Sequence, residues 1–117
     1  MDFLLLYVSE DVSFDLGKVR LALEQIPGTY DLRTDHTIGA VLQCKYDFGS
    51  DSTIVRLTEG LETISISGTG EASIRIALEI QRQLAVPLHA VDSDYSFDIL
   101  LGTEGGNSEL RQALGAQ

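Results

Sequence analysis

The chain has 117 residues, 44% hydrophobic and 22% charged, and its 18 acidic against eight basic side chains give a formal net charge of −10. Such a length predicts one domain that buries roughly two thirds of its unfolded surface without disulfides or metal staples. The charge argues against nucleic acid and anionic membranes, which are bound by neutralising phosphate with Lys and Arg, and the single cysteine, Cys44, allows no internal disulfide.

The apolar run FLLLYV at 3–8 is too short for a membrane span, and Asp2 before it is the wrong flank for a signal peptide, so a cytoplasmic protein is expected. The run reads as a strand buried on both faces at the centre of a sheet. Leu16, Val19, Ala22, Leu23 and Ile26 then recur at helical spacing until Pro27-Gly28 stops them. Gly17 weakens that helix by about 1 kcal/mol relative to alanine. TYDLRT at 29–34 alternates like a short edge strand.

A β-meander follows. Ala40, Leu42, Cys44, Tyr46 and Phe48 share one face of AVLQCKYDF, and GSD at 49–51 reads as a turn. TIVRLTEGLETISIS folds as a hairpin on a Glu59-Gly60 turn, setting Leu57 opposite Glu62, Val55 opposite Ile64 and Thr53 opposite Ile66. Val55, Leu57, Ile64 and Ile66 then line an apolar face backed by Arg56, Thr58, Thr63 and Ser65. Gly68-Thr69-Gly70 leads into a second helix over 71–85, and it lacks both the P-loop lysine and the third Rossmann glycine. Thr69 or Gly70 is expected to cap that helix, with Glu71 favourable at its positive end. Glu71, Arg75, Glu79 and Arg82 are spaced for a solvent-facing row of ion pairs.

After Pro87, PLHAV and YSFDILL read as one kinked strand, or as two short strands around Asp92 to Asp94. GTEGGN is a flexible connector, and SELRQAL suits one or two helical turns with Ser108 as cap. The whole is an α+β fold: a two-layer sandwich of a mainly antiparallel sheet of about five to six strands with two helices, in the order β-α-β-β-β-β-α-β. One domain over 1–101 is followed at 102–117 by a Gly-rich connector and a short tail or helix. A split β-α-β closure would lay the last strand beside the first.

No catalytic, cofactor or metal residues are assigned. Cys44 alternates inward with Leu42 and Tyr46, as a small core residue does. His36 and His89 stand in no recognisable constellation, and neither a G-x-S-x-G elbow nor an H-E-x-x-H pair is present. The stretch HAVDSDYSFDILLG opens like a calcium loop, with Asp92, Asp94 and Ser96 at positions 1, 3 and 5. Position 6 is nevertheless Phe97 where glycine is required, and position 12 is Thr103 where a glutamate closes the site. Period two describes it better, with Tyr95, Phe97 and Ile99 on one face and Asp94, Ser96 and Asp98 on the other.

The stretch ALEIQRQLAVPLHAVDSDYSFDILL at 77–101 resembles a pattern of small acidic bacterial proteins, in which an amphipathic helix, a VPL strand and a D-x-x-YSFD strand close the domain. Some of these look like immunity proteins of bacterial polymorphic or type VI toxin systems. The resemblance implies a non-catalytic binding protein that masks a basic toxin with a complementary acidic surface. Between Arg82 and Arg111 there is no Lys or Arg, so the expected contacts are Asp92, Asp94, Tyr95 and Asp98, with Glu104 and Glu109 as peripheral steering charges. Two alternatives stand beside it: a homo-oligomeric or chaperone-like module that associates through an exposed sheet face or edge, and a small enzyme or ligand-binding domain with a pocket between helices and sheet. Monomer and homodimer are both left open.

Overall fold

A computed structural model describes residues 3–9, 12–34, 40–68, 70–102 and 105–115. The first apolar run forms β1 (Phe3–Tyr7), and α1 (Leu16–Gln25) follows it. Asp15 caps α1 by accepting the Lys18 amide at 3.0 Å, which offsets the weakness of Gly17 in the first turn. At the other end the Thr29 hydroxyl lies 2.7 Å and 2.8 Å from the carbonyls of Leu23 and Ile26. Gly28 turns the chain at φ +98, where a Cβ would sit 2.9 Å from the Asp47 carbonyl.

The meander comprises β2 (Thr29–Arg33), β3 (Ala40–Phe48), β4 (Asp51–Thr58) and β5 (Ile64–Ser67). After it come α2 (Glu71–Leu84), β6 (Leu88–Asp92), β7 (Asp98–Leu101) and α3 (Gly106–Gly115). The α+β class therefore holds, with seven strands and three helices among the described residues. Of the two readings of the stretch after Pro87, the two-strand one holds, with β7 folding back from β6, and the C-terminal helix forms as α3.

All neighbours in the sheet are antiparallel, in the order β2-β3-β4-β5-β1-β6-β7. Because β1 is antiparallel to both β5 and β6, those two strands run parallel to each other, and α2 carries the chain between them across β1. This is a split β-α-β unit, and β6 rather than the final strand lies beside β1. The helices share one face: α2 packs on β3, β4 and β5 and against α1, while α3 packs on β7 and α2. Leu110 and Leu114 of α3 join the core there.

Alternation sorts the sheet as period two requires. Leu4, Leu6, Leu42, Cys44, Leu57, Ile64, Ile66, Leu88 and Leu101 all point beneath the helices and are fully or almost fully buried. The expectation that the first strand is buried on both faces is corrected, because Phe3, Leu5 and Tyr7 are only half-buried on the face without helices.

The β4–β5 register also differs from expectation: Val55 meets Ile66 and Leu57 meets Ile64. The chain turns over 59–62, with the Leu61 amide on the Thr58 carbonyl at 2.9 Å and Leu61 at φ +61. A two-residue turn would forfeit what holds this loop, since Leu61 packs on the core and its carbonyl accepts the Phe14 amide at 2.6 Å. The displacement is two residues, so every side chain keeps its face.

The expected ion-pair row on α2 is realised only between Glu79 and Arg82. Glu71 instead pairs with Arg111 of α3 at 2.9 Å, and the Arg75 guanidinium lies over the Phe48 ring, 4.4 Å from its centroid. Gly70 is the N-cap of α2 and offers no side-chain bond; the Asp51 carboxylate from β4 accepts the Ala72 amide at 3.0 Å. A Cβ on Gly70 would stand 2.7 Å from that carboxylate oxygen. Asp51→Ala is expected to cost about 1 kcal/mol. Gly70→Ala is expected to cost a similar amount, and the double variant less than the sum, because both act on one hydrogen bond. Urea denaturation of the four-member cycle measures this.

Candidate functional site

The face of the sheet opposite the helices carries the most connected polar cluster of the β1–β6–β7 end. Tyr7 of β1 and His89 of β6 are direct cross-strand partners, and their rings stack with centroids 4.7 Å apart and planes 10° from parallel. Asp98 of β7 faces Val91, one step diagonally from His89. Its carboxylate accepts the Tyr7 hydroxyl at 2.8 Å through Oδ2 and contacts His89 Nδ1 at 2.8 Å through Oδ1. One carboxylate thus holds both rings across three adjacent strands. Partial desolvation pushes the Asp98 carboxyl up, but the His89 and Tyr7 hydrogen bonds and the His89 charge outweigh it and hold it below the usual carboxylate range.

The expected acidic strand face is corrected here. Residues 93–97 form the turn between β6 and β7, so Asp94, Tyr95 and Ser96 do not alternate along a strand. Asp92, at the end of β6, closes this turn: its carboxylate accepts the Ser96 amide at 2.6 Å and the Ser96 hydroxyl. The Ser96 hydroxyl is the chief cause of a lowered Asp92 pKa; desolvation opposes it and backbone amides add to it. Asp92 is therefore a structural residue of the hairpin. The reversal it fixes places Tyr95 at φ +55, a left-handed conformation that costs a bulky side chain of order 1 kcal/mol. Tyr95 is 74% exposed.

Tyr95 and Tyr7 share an open cleft of about 310 Å³ with Ser9, Glu62 and Thr63. Of the sequence-predicted contacts, Asp98 and Tyr95 lie at this cluster and its cleft, and Asp94 is exposed in the same turn as Tyr95. Glu109 lies in the first turn of α3, in the helical layer, so the structure separates it from them. Glu104 and His36 lie outside the described residues. Cys44 is wholly buried, and burial pushes its thiol up to about 11. Tyr7 and Glu62 belong to the site although the sequence did not mark them. Tyr7 ends a run that reads as buried, and positions 7, 89 and 98 are joined only by strand pairing.

Among the described residues, no group of three or more His, Cys, Asp and Glu side chains is placed to hold a metal ion. No helix among them is long and apolar enough to cross a membrane. In comparisons with protein-family models, curated proteins and solved structures, nothing matches this chain.

Because the folded-state pKa of Asp98 lies below its unfolded value, the stabilisation it supplies is complete above about pH 3.9 and disappears as pH falls through the folded value. The stability gap between the wild type and Asp98→Asn is therefore expected to close below about pH 4. Urea denaturation across pH measures it, and a gap that persists in strong acid would show that the ionised carboxylate is not its source. Carboxyl NMR of Tyr7→Phe is expected to show the Asp98 pKa moved upward.

Proposed function

We propose that this chain is a non-catalytic acidic binding protein that captures a basic protein partner on the β1–β6–β7 end of its open sheet face, as an immunity or inhibitor protein does. The observation that carries the reading is the cleft between Tyr7 and Tyr95. A cationic side chain entering it meets walls that include two tyrosines and Glu62, with Asp98 held beside Tyr7. The stretch from 83 to 110 contributes no competing Lys or Arg. Blocking an enzyme needs no chemistry, only roughly 1,600 Å² of interface with complementary charge.

Catalysis suits the same residues less well. Cys44 is enclosed in the core. Asp98 occupies Nδ1 of His89, and among the described residues no Ser, Thr or Cys is bonded to the other ring nitrogen.

Titration of the ¹⁵N-labelled chain with an arginine-rich peptide as probe is expected to move the resonances of Tyr7, His89, Tyr95 and Asp98, with affinity falling as salt rises. Tyr95→Ala is expected to weaken binding about tenfold without loss of stability, as for an exposed aromatic anchor. Shifts confined to α1 and α2, or binding indifferent to salt, would overturn the assignment of the surface.

A further inference from the structure

One cross-strand row of the open face has the symmetry of a self-complementary interface. Within it Arg56, Ser65, Leu5, Val91 and Asp98 are successive partners on β4, β5, β1, β6 and β7, and the row continues beyond Arg56 to Gln43 on β3 and Arg33 on β2. Leu5 lies midway between Arg56 and Asp98, which stand about 10 Å to either side of it at the usual strand spacing. Both leave the sheet on the same face, since Val55, Leu57 and Ile99 point inward.

Among the described residues, Arg56 has no carboxylate partner and Asp98 no Lys or Arg partner. Arg56 donates through Nε to Gln43 Oε1 at 2.9 Å, and among the described residues it pairs with no carboxylate, in a chain with 18 acids. Arg20, Arg33, Lys45, Arg82 and Arg111 have acidic partners, whereas Lys18 and Arg75, like Arg56, have none among the described residues. Asp98, with its side chain 51% exposed, is held by a tyrosine and a histidine and by no Lys or Arg among the described residues.

We infer that a second copy of this chain docks on the open face, related by a two-fold axis along β1. That operation sets Arg56 of each copy against Asp98 of the other, and it brings Leu5 and Phe3 against their own counterparts on the axis. An in-plane axis perpendicular to β1 would instead oppose Arg56 to Arg56 and Asp98 to Asp98, which like-charge repulsion disfavours. Sheets packed face to face lie about 10 Å apart, a gap that arginine and aspartate side chains bridge together. Half-buried Phe3, Leu5 and Ile54, with exposed Leu100, supply apolar contact between the charged ends. The two-fold overlays β4, β5, β1, β6 and β7 of one copy on the same five strands of the other, about 20 Å across at the usual strand spacing, and leaves β2 and β3 outside the contact.

The net charge of −10 sets the salt response. Asp15, Glu24, Glu71, Glu79 and Glu109 project from the helical layer, so the copies repel mainly at long range, where salt screens them. Salt therefore relieves this repulsion between copies while also weakening the Arg56–Asp98 pairs. The two uses share Asp98 and exclude one another, yet the dimer is a property of the purified chain alone and stands or falls without any partner.

Sedimentation velocity of the purified chain tests it. The wild type is expected to dimerise, and Asp98→Arg and Arg56→Asp each to weaken the dimer at least tenfold. An equimolar mixture of the two variants is expected to form a heterodimer, because in that pair both cross-copy contacts join opposite charges. Leu5→Lys leaves the Tyr7–Asp98–His89 cluster untouched and places like charges on the axis, so it is expected to give a folded monomer by circular dichroism. A monomeric wild type, a Leu5→Lys dimer as tight as the wild type, or a mixture that stays monomeric would each overturn the inference.

Discussion

The structure depends on β1 being paired antiparallel on both sides. The β5–α2–β6 crossover needs a strand between its two parallel members, and β1 is the strand that fills the gap. The same strand divides the molecule chemically. Leu4 and Leu6 are wholly buried under the helices, while Phe3, Leu5 and Tyr7 line the other face. Period two thus lets five residues both anchor the core and furnish the site.

The acidic residues near the C-terminal hairpin divide their labour. Asp92 spends its carboxylate on the turn, and the reversal it fixes presents Tyr95 in a left-handed conformation. Asp98 instead locks two aromatic rings stacked on each other, so Tyr7 and His89 present a fixed surface in place of mobile side chains. Fixed rings lose less conformational freedom on contact with another molecule. The open face is also polarised along one row, with Arg56 on one side of β1 and Asp98 on the other, a pattern that suits both a basic partner and a second copy.

Much of the fold was legible from alternation. Leu42, Cys44 and Tyr46, and Val55, Leu57, Ile64 and Ile66, face the core as their spacing implies. The hairpin register was not legible, because it depends on Leu61 reaching the core from the turn that follows Glu59-Gly60. The acids at 92–98 alternate in sequence, yet a carboxylate–serine turn interrupts the strand, and Asp92 to Ser96 is a spacing that fits strand and turn equally. The site was half legible. Tyr95 and Asp98 were marked by charge and exposure, whereas Tyr7 is drawn in only by pairing between strands more than 80 residues apart. Glu109 looked like part of the acidic stretch, but α3 carries it to the helical side.

The central claim is that association happens on the open sheet face and not on the helices. Methyl NMR with a soluble paramagnetic probe tests this directly, comparing Leu5, Ile54 and Leu100 of the open face with exposed Leu16, Leu21 and Val86 of the other layer. As the chain is concentrated, or as a captured partner is added, the account predicts that the first group becomes shielded and the second stays accessible. Shielding of Leu21 and Val86 with Leu5 and Leu100 left open would contradict it.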